Sequence, residues 1–375
     1  MNAPDGHPDA GGHGVQAAAE AGVGAAPLES EAQRRYSRQI LFAPLGPEGQ
    51  RRLMGGRAAL VGCGALGSVQ AELLTRAGIG TLRLIDRDFV ELDNLHRQTL
   101  YDEDDARQSW PKAVAAEAHL RRINAQVRIE ARVDDLTPRN AAELLEGCDI
   151  VLDGTDNFET RYLINDFAVS RGIPWIYGAV VGSEGVSLTI LPGEIACLEC
   201  VFGPRPQAPA ATCDTVGVLN WAVNWVASQQ AGEAVKWLAG AQSAMRRGLI
   251  RADLWTNRWQ QLQPMPPDPE CRACGRRDFI HLRGETRAEV TLCGRNAVQI
   301  HERRRELDLA ELNRLLSPHG TVHGNDYVLR FRPHLHAGGE EAALEMTIFP
   351  DGRALIKGTT DPAQARSLYA RYLGS

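Results

Sequence analysis

From residue 57 the chain repeats one pattern: a short apolar run, a turn, then a stretch with apolar residues at helical spacing. The run 57–61 ends in a glycine turn and passes into a helix over 71–76, which stops at Gly78 and Gly80. The runs 81–85, 127–131, 150–152 and 174–178 read as further strands, with helices at 114–123, 141–145 and 162–169 between them. This alternation predicts an α/β fold, a mostly parallel sheet with helices on both faces. Upstream, residues 31–54 mix charges with Ile40, Leu41, Phe42, Leu45 and Leu53, which predicts one or two short helices packed on the sheet. After about residue 182 the pattern changes. Residues 185–191 alternate like a strand of an antiparallel or mixed edge, 203–211 form a Pro-rich loop, 219–238 a long helix, and 264–269 a proline-rich turn.

The two ends differ from this middle. Residues 1–30 are rich in Ala, Gly, Pro and His without an apolar period, and read as a disordered tail. Residues 283–290 read as a linker. Beyond it come a strand at 297–300, a helix at 308–316, a strand at 327–331, a hairpin of 344–349 and 354–358, and a helix at 361–373. The hairpin turns on Pro350-Asp351-Gly352-Arg353, and Asp-Gly between alternating apolar residues is a strong hairpin signal. The expected division is therefore a tail at 1–30, a large α/β unit at 31–282, and a small α+β domain at 288–375. The small domain's order, β-α-β-β-β-α, resembles one repeat of the TATA-binding-protein fold, and a fold does not give a function. Docking of a carrier or of a partner subunit, or plain stabilisation, are its expected uses.

Composition narrows the class. The chain has 375 residues, 43% hydrophobic and 23% charged, so most of it should be globular. Its net charge of -6 argues against a nucleic-acid partner, which needs a basic excess. Met1 to Ala10 carry no basic segment followed by an apolar one. The longest apolar-looking stretch, 216–227, contains Asn220 and Asn224 and is too short to span a bilayer. The expectation is a cytoplasmic protein with no membrane partner.

Candidate chemistry begins in the first turn. Gly62-Cys63-Gly64-Ala65-Leu66-Gly67 is G-x-G-x-x-G between a strand and a helix. Glycines let the backbone approach a phosphate, and the helix N-terminus supplies donors and partial positive charge. Asp86 ends the next strand, where a carboxylate accepts bonds from ribose hydroxyls. This much predicts an adenine nucleotide on a Rossmann-like sheet, and a dinucleotide oxidoreductase fits it equally well. Arg97 and Lys112 then favour a triphosphate, because a leaving pyrophosphate develops charge that cations stabilise. The run Asp153-Gly154-Thr155-Asp156-Asn157 follows another strand, where a carboxylate can hold Mg²⁺.

These pieces together resemble the ThiF/MoeB/HesA adenylyltransferases, relatives of ubiquitin-activating enzymes. The match consists of Arg35-Tyr36-Ser37-Arg38-Gln39-Ile40, the glycine loop, the D-x-D-x-V-x-x-x-N-L-x-R-Q stretch from Asp86 to Gln98, Pro111-Lys112, and Asp153 to Asn157 with Arg161 and Asn165. It covers roughly residues 31–282. The resemblance implies that Asp86 binds the ATP ribose, that Asn94, Arg97 and Lys112 contact the phosphates, and that Asp156 places Mg²⁺. It implies that Arg38 reaches into a partner subunit's site, hence a homodimer. The acidic stretch 101–105 departs slightly from the pattern and bears on the loop's reach.

Eight cysteines in 375 residues are too sparse for a disulfide scaffold. Cys197-Leu198-Glu199-Cys200 and Cys271-Arg272-Ala273-Cys274 form two C-x-x-C pairs. Four thiolates suit a closed tetrahedral Zn²⁺ site that clamps the insertion between them, whereas a redox dithiol needs only one pair. The resemblance also favours zinc. Cys213 precedes a long helix, where a thiol has a lowered pKa and is a competent nucleophile, and a packing role is as good a reading. Within the resembling family a cysteine here takes part in sulfur transfer in some members and is dispensable in others. Cys63 and Cys148 read as packing residues.

The leading expectation is an enzyme that adenylates the C-terminal glycine of a ubiquitin-like sulfur-carrier protein of ThiS or MoaD type. It would serve thiamine or molybdopterin synthesis, with a separate sulfur donor. The alternatives are a tRNA threonylcarbamoyladenosine dehydratase-like enzyme, a nicotinamide-dependent oxidoreductase and a non-catalytic binding module.

Overall fold

The computed structural model describes residues 30–204, 216–263, 265–285, 291–292, 297–300, 307–334 and 344–374. The expected tail up to residue 29, Cys213 and most of the linker lie outside them. Strands β1 (Arg57–Val61), β2 (Thr81–Ile85), β3 (Arg128–Arg132), β4 (Ile150–Asp153), β5 (Trp175–Val181), β6 (Glu184–Ile190), β7 (Leu249–Asp253) and β8 (Arg258–Gln261) form one sheet. Their order is β3-β2-β1-β4-β5-β6-β7-β8. The pairs from β3 to β5 are parallel, and those from β5 to β8 antiparallel.

Successive residues of β1 point into two different cores, which is why it reads as a continuous apolar run. Ala58 and Leu60 join Leu74, Ala116, Leu120 and Ala234 on one face. Ala59 and Val61 join Leu145, Tyr162, Phe167 and Trp175 on the other. Helices Ala65–Ala77, Lys112–Ile123 and Asn220–Leu238 supply the first layer, and helices Ala141–Leu145 and Phe158–Arg171 the second. The fold is thus α/β with helices on both faces.

A second sheet contains β9 (Thr291–Leu292), β10 (Ala297–Ile300), β11 (Gly320–Asn325), β12 (Val328–Pro333), β13 (Glu345–Ile348) and β14 (Ala354–Lys357). It is antiparallel throughout, in the order β11-β12-β13-β14-β10-β9. Helices Leu309–Leu316 and Pro362–Leu373 share its core with Phe331, Met346, Ile348 and Ile356. Asp308 and Asp361 cap these helices by accepting backbone N–H bonds.

Several elements escape the sequence reading. Strand β11, Gly-Thr-Val-His-Gly-Asn, is half exposed and offers one apolar side chain, so it carries no alternation. The hairpin of β7 and β8 is hidden for a related reason, since β8 is exposed throughout. The acidic stretch becomes helix Glu103–Gln108, entered through a capping box of Asp102 and Asp105.

The carboxyl ends of β1 and β4 meet through glycines alone. Gly62 has φ +88°, and a Cβ there would stand 2.6 Å from the Gly154 carbonyl oxygen. A Cβ on Gly67 would stand 1.9 Å from the Gly62 oxygen. Gly64 is roomier, its nearest neighbour being Gln98 Nε2 at 3.8 Å. Gly67→Ala is therefore expected to lower stability by about 3 kcal/mol or more, and Gly64→Ala by under about 1 kcal/mol. Urea midpoints at unchanged slope would measure both, and equal losses would contradict the packing argument.

Candidate functional site

Connections from β1 run to β2 on one side, and the later strands continue from β4 on the other, so a crevice opens between β1 and β4. Register places Val61 beside both Ile85 and Asp153. The glycine loop, Asp86 and the Asp153–Asp156 segment therefore leave the sheet side by side. Helix Ala65–Ala77 starts at Gly64 and aims its N-terminus at this crevice.

The backbone secures Asp86. Its Oδ2 accepts from Cys63 N at 2.6 Å and its Oδ1 from Asp88 N at 2.6 Å. Burial pushes the Asp86 carboxyl up, against the pull of Lys112. Lys112 opens its helix, is 4% exposed, and reaches Asp88 Oδ2 at 3.4 Å while its N–H donates to the Asp88 carbonyl at 2.8 Å. A lysine this enclosed is not one solvated at a helix start.

Asn94 and Arg97 lie on the turn that follows. Asn94 is buried, and Arg97 Nη1 donates to the Asp93 carbonyl at 2.8 Å. Among the described residues, Asn94 Oδ1 and the buried Gln98 Oε1 have no hydrogen-bond donor. Gln98 borders Gly64. Buried acceptors without donors beside a glycine loop fit a pocket completed by a polar ligand.

The aspartates at the end of β4 and in the loop beyond it differ in their surroundings. Asp153 is fully buried, with Oδ1 accepting from Thr155 N at 2.9 Å and Thr155 Oγ1 at 2.6 Å, and Oδ2 from Arg161 Nε at 3.0 Å. Burial raises its pKa, and Arg161 opposes the rise. Arg161 also donates to the Thr155 and Gly178 carbonyls and lies over Tyr177. Asp153 is thus a strut of the loop, and Asp156 is the exposed carboxylate that the loop presents.

Three supporting residues were invisible as site residues in the sequence. Tyr101 Oη donates to the Cys63 carbonyl at 2.7 Å and lies 3.2 Å from the Lys112 carbonyl, so it ties the glycine loop to the lysine. Gln70 and Gln230 both donate to the Asp153 carbonyl, at 3.1 and 2.8 Å. Glutamines at apolar helix positions carry no motif. Only their burial inside the packed layer marks them.

Arg38 stands apart. Its neighbour Gln39 donates to the Ala77 carbonyl at 2.9 Å, at the far end of the 13-residue helix that begins at the glycine loop. That helix spans about 20 Å. Arg38 is exposed, and beside it Leu41 and Phe42 are 72% and 65% exposed, an unusual projection of apolar surface.

The four C-x-x-C thiols converge. Cys197 Sγ lies 3.8 Å from Cys200 Sγ and 3.6 Å from Cys271 Sγ, and Cys200 Sγ lies 3.2 Å from Cys274 Sγ. All four fall within 4.8 Å of one another. Tetrahedral coordination at Zn–S of about 2.3 Å needs sulfurs about 3.8 Å apart. Gly275 allows the second knuckle its close turn, because a Cβ there would stand 2.1 Å from the Pro269 oxygen. Arg272 ties the cluster to the body, with Nε donating to Glu199 Oε1 at 3.0 Å and Nη2 to the buried Asp166 Oδ1 at 3.2 Å. Cys63 and Cys148 are buried away from the cluster, and burial raises both thiols, which suits packing rather than reactivity.

The comparisons agree with this geometry. The "Sulfur carrier protein ThiS adenylyltransferase" of Bacillus subtilis is 44% identical over 346 residues, covering 91% of this chain and 99% of that one. The "Sulfur carrier protein adenylyltransferase" of Thermus thermophilus is 38% identical over 248 residues, 64% of this chain and 90% of its own. Among solved structures, E. coli MccB with ATP superposes with a TM-score of 0.57 at 23% identity, over 66% of this chain and 76% of that one, a likeness of fold. The ThiF family model matches residues 36–273. With the whole large sheet and the nucleotide crevice inside that match, this chain belongs to the ThiF family.

Proposed function

We propose that this protein is an ATP-dependent adenylyltransferase that activates the C-terminal glycine carboxylate of a ubiquitin-like sulfur-carrier protein. The observation that carries this reading is the crevice that unites the glycine loop, Asp86 and the buried Lys112, in a chain of which 91% matches 99% of a carrier adenylyltransferase. The acidic balance and the names of the relatives both weigh against the tRNA-modifying alternative.

Asp86 orients the ribose, and Gly62, Gly64 and Gly67 let the loop and the helix N-terminus approach the phosphates closely. The carrier's carboxylate, already an anion, attacks the α-phosphorus in line, so no general base is needed. The P–O bond to pyrophosphate breaks as the acyl–phosphate bond forms. Lys112, Arg97 and Asn94 stabilise the charge that develops on the leaving pyrophosphate. Asp156 would hold Mg²⁺, the strut Asp153 being saturated by Thr155 and Arg161. When bound, Mg²⁺ shields phosphate charge and retains waters. The adenylate then awaits a sulfur donor, to which Cys213 is a candidate intermediary.

Cys197, Cys200, Cys271 and Cys274 would hold a structural Zn²⁺, since four thiols already meet at nearly tetrahedral spacing. Arg38 would enter the site of a second copy, because its own crevice lies a helix length away while Leu41 and Phe42 project beside it. Free thiols among the described cysteines fit a reducing cytoplasm.

Two results are expected. Carrier-dependent ATP–pyrophosphate exchange falls about 100-fold or more in Asp156→Ala, with the melting temperature unchanged; undiminished exchange would contradict the assignment. Elemental analysis of purified protein finds about one zinc per chain, and Cys271→Ser lowers both zinc content and melting temperature. A zinc-free, fully stable protein would contradict the structural site.

A further inference from the structure

The small antiparallel domain docks on the segments that build the nucleotide crevice. Phe89 packs with Val328, Phe349 and Leu355 in a core shared by both domains. Its ring lies 5.7 Å from that of Phe349. Trp110 lies 5.9 Å from Tyr327. Asn325 Nδ2 donates to the Gln108 and Ser109 carbonyls at 3.3 Å, and Arg330 Nη1 to Ser109 Oγ at 2.9 Å. Glu91 is the polar centre: its Oε1 meets Lys357 Nζ at 2.5 Å and Arg330 Nη2 at 3.0 Å. Arg330 is in turn fixed by the buried Glu345, 3.2 Å away. Arg330 and Lys357 are 20% and 28% exposed, so this network is shielded enough to outweigh an ordinary surface pair.

What lies beneath explains why this matters. Residues 88–91 and 110–112 run side by side, joined by Val90 N to the Trp110 carbonyl at 3.0 Å, Lys112 N to the Asp88 carbonyl at 2.8 Å, and a bridge between Phe89 and Pro111. The pairing is antiparallel, so Asp86 enters the ribbon and Lys112 leaves it at the same end, and Glu91 stands at the other. The Glu91 carbonyl accepts from Asn94 N at 2.9 Å and starts the turn that carries Arg97. The ribbon belongs to no sheet of its own. A two-stranded ribbon alone is marginal in water, and packing on other elements is what holds it.

We propose that the small C-terminal domain is a positioning brace for the ATP site, acting through the clamp of Arg330 and Lys357 on Glu91. Arg330, Lys357 and Glu91 are positioning residues, since they act through Asn94, Arg97 and Lys112. This rests on the functional reading above. It assigns the domain a part in nucleotide binding rather than in docking a carrier.

The test uses the full-length protein, measuring Mg–ATP affinity directly without carrier, then exchange kinetics with carrier. The double variant Arg330→Met/Lys357→Met is expected to bind ATP about tenfold more weakly, with KM for ATP raised in step and KM for carrier unchanged. The conservative Lys357→Arg keeps wild-type values. A merely structural role would lower the melting temperature and the active fraction, hence kcat, and leave ATP affinity intact; that outcome overturns the brace. A wild-type protein that fails to bind Mg–ATP overturns the functional reading itself and the brace with it. Wild-type binding with an unaffected double variant overturns the brace alone.

Discussion

The close approach of the Gly62–Gly67 loop to Gly154 is the constraint on which the site depends. At these points backbone meets backbone with no room for a side chain. The approach lets β1 and β4 end level, so that the loop, Asp86 and the Asp156 segment share one crevice. It also sets the start of helix Ala65–Ala77, whose N-terminus then faces the crevice. A side chain at Gly67 would separate these parts before it touched any ligand.

Around that contact the protein keeps its fixed and its working polar groups apart. Asp153, Arg161, Gln70 and Gln230 are buried and bonded, and they set the shape of the loop after β4. Tyr101 does the same between the glycine loop and Lys112. The hydrogen bonds that these buried groups make are costly to break, so they rigidify what they join. Such rigidity is what charge stabilisation of a leaving pyrophosphate requires, because preorganised donors need no rearrangement during the reaction. The four-thiol cluster serves the same end further out, tying helix Phe158–Arg171 to the insertion through Arg272 and Asp166.

The sheet was legible because β1 and β4 are apolar on both faces, and the glycine loop because its spacing has few other uses. The four cysteines were legible as a set from their paired spacing alone. What stayed hidden depends on contacts between distant segments. Strand β11 is held by β12 rather than by its own pattern. Asp153 and Asp156 share one short run, and although the resemblance implied Mg²⁺ at Asp156, the part of Asp153 as a strut shows only in its burial against Arg161. Glu91 stands inside a recognisable motif, yet its partners Arg330 and Lys357 lie 239 and 266 residues further on. No local signal could have joined them.

The central claim is that this chain forms an acyl-adenylate on a carrier protein. The most direct measurement is the intact mass of a ubiquitin-like sulfur carrier from the same organism, after a brief incubation with the protein and Mg–ATP and no sulfur donor. The account predicts a carrier heavier by one AMP, formed only when protein and ATP are both present and lost when the carrier's terminal glycine is removed. A carrier of unchanged mass, while ATP is consumed, would contradict it.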